Sequence, residues 1–376
     1  MTPIREVAIA GAGIGGLTLA LLLQRQGIAV TLLERQPQPQ TVPTGLNLWS
    51  YAAAPLLELG VDLAGAGAPL ERIVIASPRS ARVTEFPVGA VSRELGANSW
   101  SLERNQLMLA LEARLPPECL RRGVSVVGWE ESEPRPAFVT ATGERIAADL
   151  LVAADGIGSV LRTALLGPVP LGQVGQRVWS GIAAPADPGD LPADYQLDLW
   201  MAGGKAGVAP VGRGRWRWYL TQVGDLPDRA ALLARAQTWH LWVAMAIAAT
   251  PPEAVVCTEP ADLPPLHHWF QGHRVLLGDA AHATTPFGGM GACSAIRDAV
   301  VLAECLEQHP QQLTLALAAY ERRRKASAEH IVRDSRFKMT VATLRSGLLG
   351  TARDWALGLL PPWQMARMAR ELVGGD

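Results

Sequence analysis

"VAIAGAGIGGLTLALLLQRQGIAVTLLE", residues 7–34, packs three kinds of signal into one short stretch. Val7–Ala10 reads as a buried strand. Gly11-Ala12-Gly13-Ile14-Gly15-Gly16 is a GxGxxG turn, Leu17–Gln26 carries a helical pattern, and Gly27 stands where a helix closes. A second strand, Val30–Leu33, ends in Glu34, 23 positions after the first glycine. Each glycine has a physical role. Gly11 permits the tight turn, Gly13 lets backbone approach a pyrophosphate, and Gly16 allows close packing of helix on strand. The coming helix presents its positive end to phosphate charge, and Glu34 is placed to accept hydrogen bonds from a ribose. The stretch predicts a dinucleotide-binding strand–helix–strand unit and leaves NAD and FAD both open.

The rest of the composition narrows the class. At 376 residues and 49% hydrophobic, the chain can bury a sizeable core in one large or two smaller domains. Formal charge is −1, and the one dense basic run, ERRRK at 321–325, reads as a solvated helix face. No nucleic-acid partner is expected. Cys119, Cys257, Cys293 and Cys305 form no CxxC pair and have no histidine cluster beside them. No metal site or disulfide framework is expected, and the reading is of a reduced, cytoplasmic protein. The apolar stretch from Val7 lacks a cationic leader and is interrupted by glycines, so it reads as core rather than signal peptide. No run reaches the ~18 apolar residues of a membrane span. AGAGAP at 64–69 follows no strand and reads as a loop.

Two further motifs follow. AFVTATGERI (137–146) reads as a hairpin turning at Thr142-Gly143, and DLLVAADG (149–156) as a buried strand running into Asp155-Gly156. Ser159 and Arg162 fall at a helix start. Val275–Leu277 is a third buried strand, closed by Gly278-Asp279. Past Pro286, Gly288, Gly289 and Gly291 lead into a helix with Ile296, Val300, Ala303 and Leu306 on one face. Small residues leave backbone N–H groups open to a ligand, and the helix points its positive end at them. An anion, or a ring that becomes anionic, would be stabilised there.

In this order, GxGxxG, then Asp-Gly, then Gly-Asp, the chain resembles the class A flavoprotein monooxygenases, the family of para-hydroxybenzoate, salicylate and urate hydroxylases. GLNLWSYAAAPLLELG (45–60), SLERNQLMLAL (101–111), GDAAHATTPFGGMGACSAIRDAVVLAECL (278–306) and YERRRKASAEHIVRDSR (320–336) carry the likeness along most of the chain. The resemblance implies FAD as cofactor. It implies a cofactor set of Gly11, Gly13, Ile14, Gly15, Gly16, Glu34, Arg35, Gly45, Arg104, Val126, Asp155, Asp279, Gly289, Gly291 and Ala292. Asp279 is expected to hold the ribityl chain, and the Gly288–Ala292 backbone to face the pyrimidine side of the flavin. Negative charge develops at that edge on reduction, where fixed N–H dipoles stabilise it.

The chain departs from the family at several places. Met290 stands where members carry Gln, and Arg297-Asp298 where they carry Glu-Asp. Phe287 replaces the acid of urate-type members, which argues for a more apolar substrate. His282 is expected beside the cofactor loop rather than as a general base, and no residue is assigned as catalytic.

The implied architecture is α/β: a discontinuous Rossmann-like FAD-binding domain (1–170 and 271–340), an inserted substrate sheet (171–270) and a C-terminal helical segment (341–376). Strands of the sheet are QRVWSGIAA, YQLDLWMAGG, KAGVAPVG and RWRWYLTQV, the last with Trp216, Trp218 and Leu220 alternating against Arg217 and Tyr219. Trp49, Trp200, Trp218 and Phe287 are candidate substrate contacts, with core packing the competing role for the tryptophans. The tail reads as amphipathic helices docked on the body or a dimer partner, or as a membrane-surface segment.

The implied function is an NAD(P)H-dependent monooxygenase, monomer or homodimer. Its reductant binds transiently. Reduced FAD and O₂ give a C4a-hydroperoxide that hydroxylates or epoxidises an aromatic or other electron-rich apolar molecule. The rivals are a geranylgeranyl-reductase-type flavoprotein and a non-catalytic FAD-bound partner protein.

Overall fold

The structure is a computed structural model and describes residues 4–39, 42–78, 80–130, 135–187, 189–222 and 228–375. Its centre is a six-stranded sheet. In spatial order the strands are Phe270–Gln271, Arg274–Leu276, Leu150–Ala153, Glu6–Ala10, Ala29–Glu34 and Leu120–Arg122. All pairings are parallel except the first. Val7, Ala8 and Ile9 are fully buried, as continuous apolar strands must be when both faces of a sheet are covered. The helix Ile14–Arg25 packs on the helix Gly291–Gln308, which packs in turn on the long helix Leu313–Ala342. The expected hairpin forms from Ala137–Thr140 and Arg145–Ala147, with Gly143 at φ +82° in its turn. Ser159 caps the next helix by accepting from the Arg162 N–H at 2.8 Å.

A seven-stranded sheet lies beside this body. Its order is Val256–Thr258, Arg177–Ala183, Trp216–Gln222, Gly204–Pro210, Tyr195–Met201, Arg72–Ser77 and Ser80–Phe86. Five strands come from the expected 171–270 segment; Val223, at the end of one expected strand, lies outside the described residues. The other two come from 72–86, inside the span assigned to the cofactor domain. Tyr195 pairs in parallel with Arg72, so this early hairpin covers a strand edge that would otherwise be unpaired. Residues 64–69 also differ from the loop expected of them. Asp62 caps a short helix, Leu63–Ala66, through the Gly65 N–H, and Gly67–Pro69 pairs as a strand with Trp100–Leu102. The Asp62 cap is the local signal that the glycine pattern obscured.

The alternation in Trp216–Gln222 is observed. Trp216, Trp218 and Leu220 join a core with Val243, Ala246 and Ile247 of the helix Leu241–Ala248. Arg217 and Tyr219 point the other way.

The tail forms two helices, Gly347–Gly358 and Pro362–Gly374, set against Ser80–Phe86 and the helix Val88–Glu94. Arg353 ties them to the body. Its Nη1 donates to the carbonyls of Val341 and Ala342 at 3.0 and 3.1 Å, and its guanidinium lies 5.1 Å from the Trp200 ring centroid. Arg353→Ala removes a buried clamp on carbonyls at the end of the long helix. Limited proteolysis should then cut between residues 343 and 361 several times faster than in the wild type, with FAD content unchanged. Equal cutting rates would show that the tail is held elsewhere.

Candidate active site

The site begins at the first turn. Gly11 has φ +108°, and a Cβ there would lie 2.2 Å from the carbonyl oxygen of Ala154. At Gly16 a Cβ would lie 2.1 Å from the Gly11 oxygen. Both contacts are with backbone, which cannot yield as a flexible side chain can. Gly13 is different: a Cβ there meets no atom within 4 Å. Two glycines close the turn on the sheet, and the third faces open space. Glu34 fixes the turn from the next strand, its carboxylate accepting from the Ala12 N–H at 3.0 Å and the Gln36 N–H at 2.9 Å.

That open space is a cavity of about 790 Å³, in the upper part of the range for small-molecule and cofactor sites. Gly13, Ile14, Gly15 and Gly16 line it together with Gly45, Arg104, Asp279, Gly289, Gly291 and Ala292. Ten of the fifteen residues expected to hold the cofactor thus meet at one cavity. Asp279 and Arg104 are exposed at its wall. Gly11 and Glu34 stand just behind it. Asp155 borders the cavity-lining residues Ala154 and Gly156. Burial raises the Asp155 carboxyl above its ordinary value, partly offset by hydrogen bonds from Ser159 and backbone. Arg35 is exposed beyond the strand end. Val126 packs against the main core in its own strand and does not line the cavity.

The glycine loop is held from behind. Ser335 Oγ, on the long helix, accepts from the Gly288 N–H at 3.1 Å and donates to the Thr285 carbonyl at 2.8 Å. Trp49 Nε1 donates to the Gly289 carbonyl at 3.1 Å. Below the loop lies Asp298, fully buried. It accepts from the Gly278 N–H at 3.0 Å, from His282 Nε2 at 2.5 Å and from Arg324 Nε at 2.8 Å. Burial alone would raise its carboxyl, but the charges of His282 and Arg324 and their hydrogen bonds outweigh it and hold it below its ordinary value. His282 therefore serves the elbow that Gly278-Asp279 makes at the strand's end, beside the loop where it was expected.

The opposite wall is a polar face of the seven-stranded sheet. Arg217 Nη2 donates to Asn47 Oδ1 and Gln196 Oε1, both at 2.5 Å, and its Nε to Ser101 Oγ at 2.9 Å. Asp198 accepts from Tyr219 OH at 2.6 Å and Gln196 Nε2 at 2.7 Å, and pairs with Lys205 Nζ at 2.9 Å. Burial would raise the Asp198 carboxyl, yet Lys205 and these donors hold it low. Burial, reinforced by Asp198, pushes the Tyr219 phenol well above its usual range. The wall thus carries one carboxylate against two cations. Gly45 allows it: a Cβ there would strike the Arg217 side chain at 2.3 Å. Sequence reading did not single out Asn47, Gln196, Asp198, Lys205, Arg217 or Tyr219 as a group. The alternation around Trp218 had placed Arg217 and Tyr219 on one face.

The comparisons with known proteins fit this geometry. The sequence model of the FAD binding domain family matches residues 5–335. The chain belongs to this family of class A flavoprotein monooxygenases. It is an FAD-dependent monooxygenase. It is 37% identical to the aurachin C monooxygenase/isomerase of Stigmatella aurantiaca over 88% of this chain and 87% of that one. It is 29% identical to an FAD-dependent urate hydroxylase of Mycolicibacterium vanbaalenii over 89% and 88%. Its fold superposes on the crystal structure of Klebsiella pneumoniae HpxO with FAD and uric acid at a TM-score of 0.90, with 26% identity, covering 99% of this chain and 97% of that one.

The residues present fit FAD. Bare backbone at Gly13 and an 18-residue helix starting at Gly291 offer a phosphate turn and a ring edge their N–H groups. Thr284 Oγ1 and Trp200 Nε1, both at the cavity, are buried without a hydrogen-bond partner among the described residues. A polar ligand would satisfy them. Phe287 and Trp200 line the cavity, as does Trp49 with its indole committed to Gly289. Trp218 lines the cavity too, while its indole Nε1 donates to Thr250 Oγ1 at 2.8 Å and its ring joins the core of the sheet. Among the described residues no cluster is arranged to hold a metal ion, and no helix is long and apolar enough to cross a membrane.

Two predictions come from this geometry. Gly13→Ala should fold with near-native stability and bind FAD at least tenfold more weakly. Gly16→Ala should cost about 1–3 kcal/mol of stability by overpacking. Urea unfolding of the apoproteins and FAD titration separate the two, and equal behaviour would refute the division of labour. The second concerns Asp298. Its folded pKa lies below its unfolded value, so its stabilisation is full above about pH 4 and is lost as pH falls through the folded value. Asp298→Asn should destabilise by about 3–5 kcal/mol at pH 7, because Arg324 is left buried and uncompensated. The gap in urea midpoint between variant and wild type should narrow at pH 3; a constant gap would contradict the assignment.

Proposed function

We propose that the enzyme uses NAD(P)H and O₂ to oxygenate a small aromatic or otherwise electron-rich substrate, held between the glycine loop and the polar wall of the sheet. The observation that carries this reading is the pairing of those two walls across one cavity. One offers bare backbone and a helix N-terminus. The other offers Arg217, Lys205, Tyr219 and Asp198, set among apolar residues such as Ile73, Ile75 and Phe86.

FAD, when bound, supplies the redox chemistry and the activation of oxygen. The protein does the rest. Asp279 and the glycine turn hold the cofactor, and the Gly291 end of the helix favours negative charge where it forms. On the substrate side, Tyr219 keeps its proton and donates a hydrogen bond to Asp198, which leaves the lone pairs of its oxygen free to accept. Lys205 has three donors and gives one to Asp198. With two cations against one carboxylate, the wall favours a substrate oxygen that carries negative charge, such as an ionised ring hydroxyl. The apolar surround excludes water from the reacting face. Phe287, at the position expected to set substrate polarity, adds apolar surface rather than an acid. The relatives are named for oxygenation of ring compounds in two cases, urate and 3-amino-4-hydroxybenzoate, which supports the same substrate class here.

The test is the holoenzyme with NADPH or NADH and a panel of hydroxylated aromatics under ¹⁸O₂. The expected result is substrate-accelerated bleaching of the flavin spectrum and one labelled oxygen per product. Reduced product without label would overturn the reading in favour of a reductase.

A further inference from the structure

The register of the seven-stranded sheet sorts its cavity face into two halves. Tyr219 pairs with Gly207, Gly207 with Asp198, Asp198 with Ile75, and Ile75 with Thr84. Paired residues point to one side of a sheet, and so do residues two apart along a strand. The same side therefore carries Arg217, Lys205, Gln196, Ile73 and Phe86. On Trp216–Gln222, Gly204–Pro210 and Tyr195–Met201 this side brings charged and hydrogen-bonding groups to the cavity. On Arg72–Ser77 and Ser80–Phe86 it brings Ile73, Ile75 and Phe86. Thr84, on the same side, turns its hydroxyl to the tail and donates to Met365 Sδ at 3.0 Å. The change from polar to apolar falls between two adjacent strands.

The tail helices complete the apolar half. Both pack on Ser80–Phe86, and Leu357 of the first and Met368 and Leu372 of the second border the cavity. Ile75 is 3% exposed yet joins neither hydrophobic core of the protein; its apolar surface is turned to the cavity. Neighbouring strands lie ~4.8 Å apart, so this arm reaches about 10 Å from Asp198 to the outer strand of the early hairpin.

We propose that the substrate carries a long apolar chain on its ring, an alkyl or alkenyl tail that lies in this arm while the ring stands at the polar wall. The proposal rests on the aromatic substrate class given above and specifies it further. A polar substituent in the arm would lose water and find no donor or acceptor on the side chains of Ile73, Ile75, Phe86, Leu357 or Leu372. Asp334 and Lys338 also border the cavity, but they pair with each other at 2.6 Å and offer no net charge. A hydrocarbon chain loses no hydrogen bond there and gains about threefold in affinity for each methylene buried. It also orients the ring, because each end of such a molecule suits only one half of the cavity face.

The experiment measures binding of two probes to the FAD-loaded enzyme. One is a homologous series of 4-alkylphenols, ethyl to nonyl, followed by perturbation of the flavin spectrum. The other is 1-decanol, which has no ring, followed by calorimetry. Affinity for the phenols should rise about threefold per added methylene until the chain fills the arm, and decanol should bind. Met368→Glu and Leu357→Glu each place a charge in the arm, one from either tail helix. In both, the rise from ethyl to nonyl should shrink at least tenfold and decanol binding should be lost, with FAD content and melting temperature unchanged. Phenol affinity indifferent to chain length overturns the proposal, as does a wild-type rise that persists in both variants, or a wild type that binds no decanol. Oxygenation of short phenols without such a rise removes the chain and leaves the monooxygenase reading standing. Decanol binding that the variants abolish, with no phenol oxygenated, supports the arm and counts against the phenolic ring instead.

Discussion

The carboxylate of Asp298 ties together segments that the chain separates widely. It sits in the second turn of the helix that starts at Gly291, and it reaches back to the Gly278 N–H, where the third parallel strand ends. Arg324 comes to it from the long helix and His282 from the elbow itself. The direction in which the chain leaves the strand at Gly278-Asp279 is thereby set by the helix whose N-terminus faces the cavity. Elbow and helix dipole cannot be placed independently. A buried carboxylate is stable only with its partners in place, so the Gly278 turn, His282 and Arg324 are held together or not at all.

What the sequence made legible follows from that local logic. The Gly11–Gly16 turn, its helix and Glu34 are close in the chain, and their spacing is dictated by sterics at single atoms. The Gly278-Asp279 elbow and the glycine loop are local in the same way. Val126 and residues 72–86 are not. Nothing near Arg72–Phe86 announces that its partner is Tyr195–Met201, because strand pairing across more than a hundred residues depends on which edge is left open. The polar wall was hidden for a similar reason. Arg217, Asp198, Lys205 and Gln196 are ordinary surface residue types until three strands and Asn47 bring them into one buried network. Alternation told which side they face, but not that the side is enclosed. Trp218 belongs to both environments: strand parity turns its indole into the core, and the residue still lines the cavity.

The two walls divide the chemistry by residue type. Against the glycine loop, side chains would stand in the way of a flat ring, so the contacts are backbone N–H groups and a helix end, which cost no side-chain entropy. On the opposite wall the contacts offered to the cavity are side chains, those of Tyr219, Lys205 and Arg217. Asp198 makes the wall tolerable. Without it two cations would be buried side by side; with it, one positive charge remains in excess and is available to a ligand.

The departures at Met290 and Arg297 fit the same division. The loop's position is carried by Ser335 on the Gly288 N–H, by Trp49 on the Gly289 carbonyl and by the left-handed turn at Gly289, with φ +63°. None of these contacts uses the side chain at 290. Met290 is half-buried, packing against the core on one side and lining the cavity on the other. Arg297 is half-buried on the helix, and the adjacent Asp298 retains every partner that fixes the elbow. A loop whose geometry rests on backbone, on Ser335 of the long helix and on Trp49 can exchange these side chains while its N–H groups stay where they are.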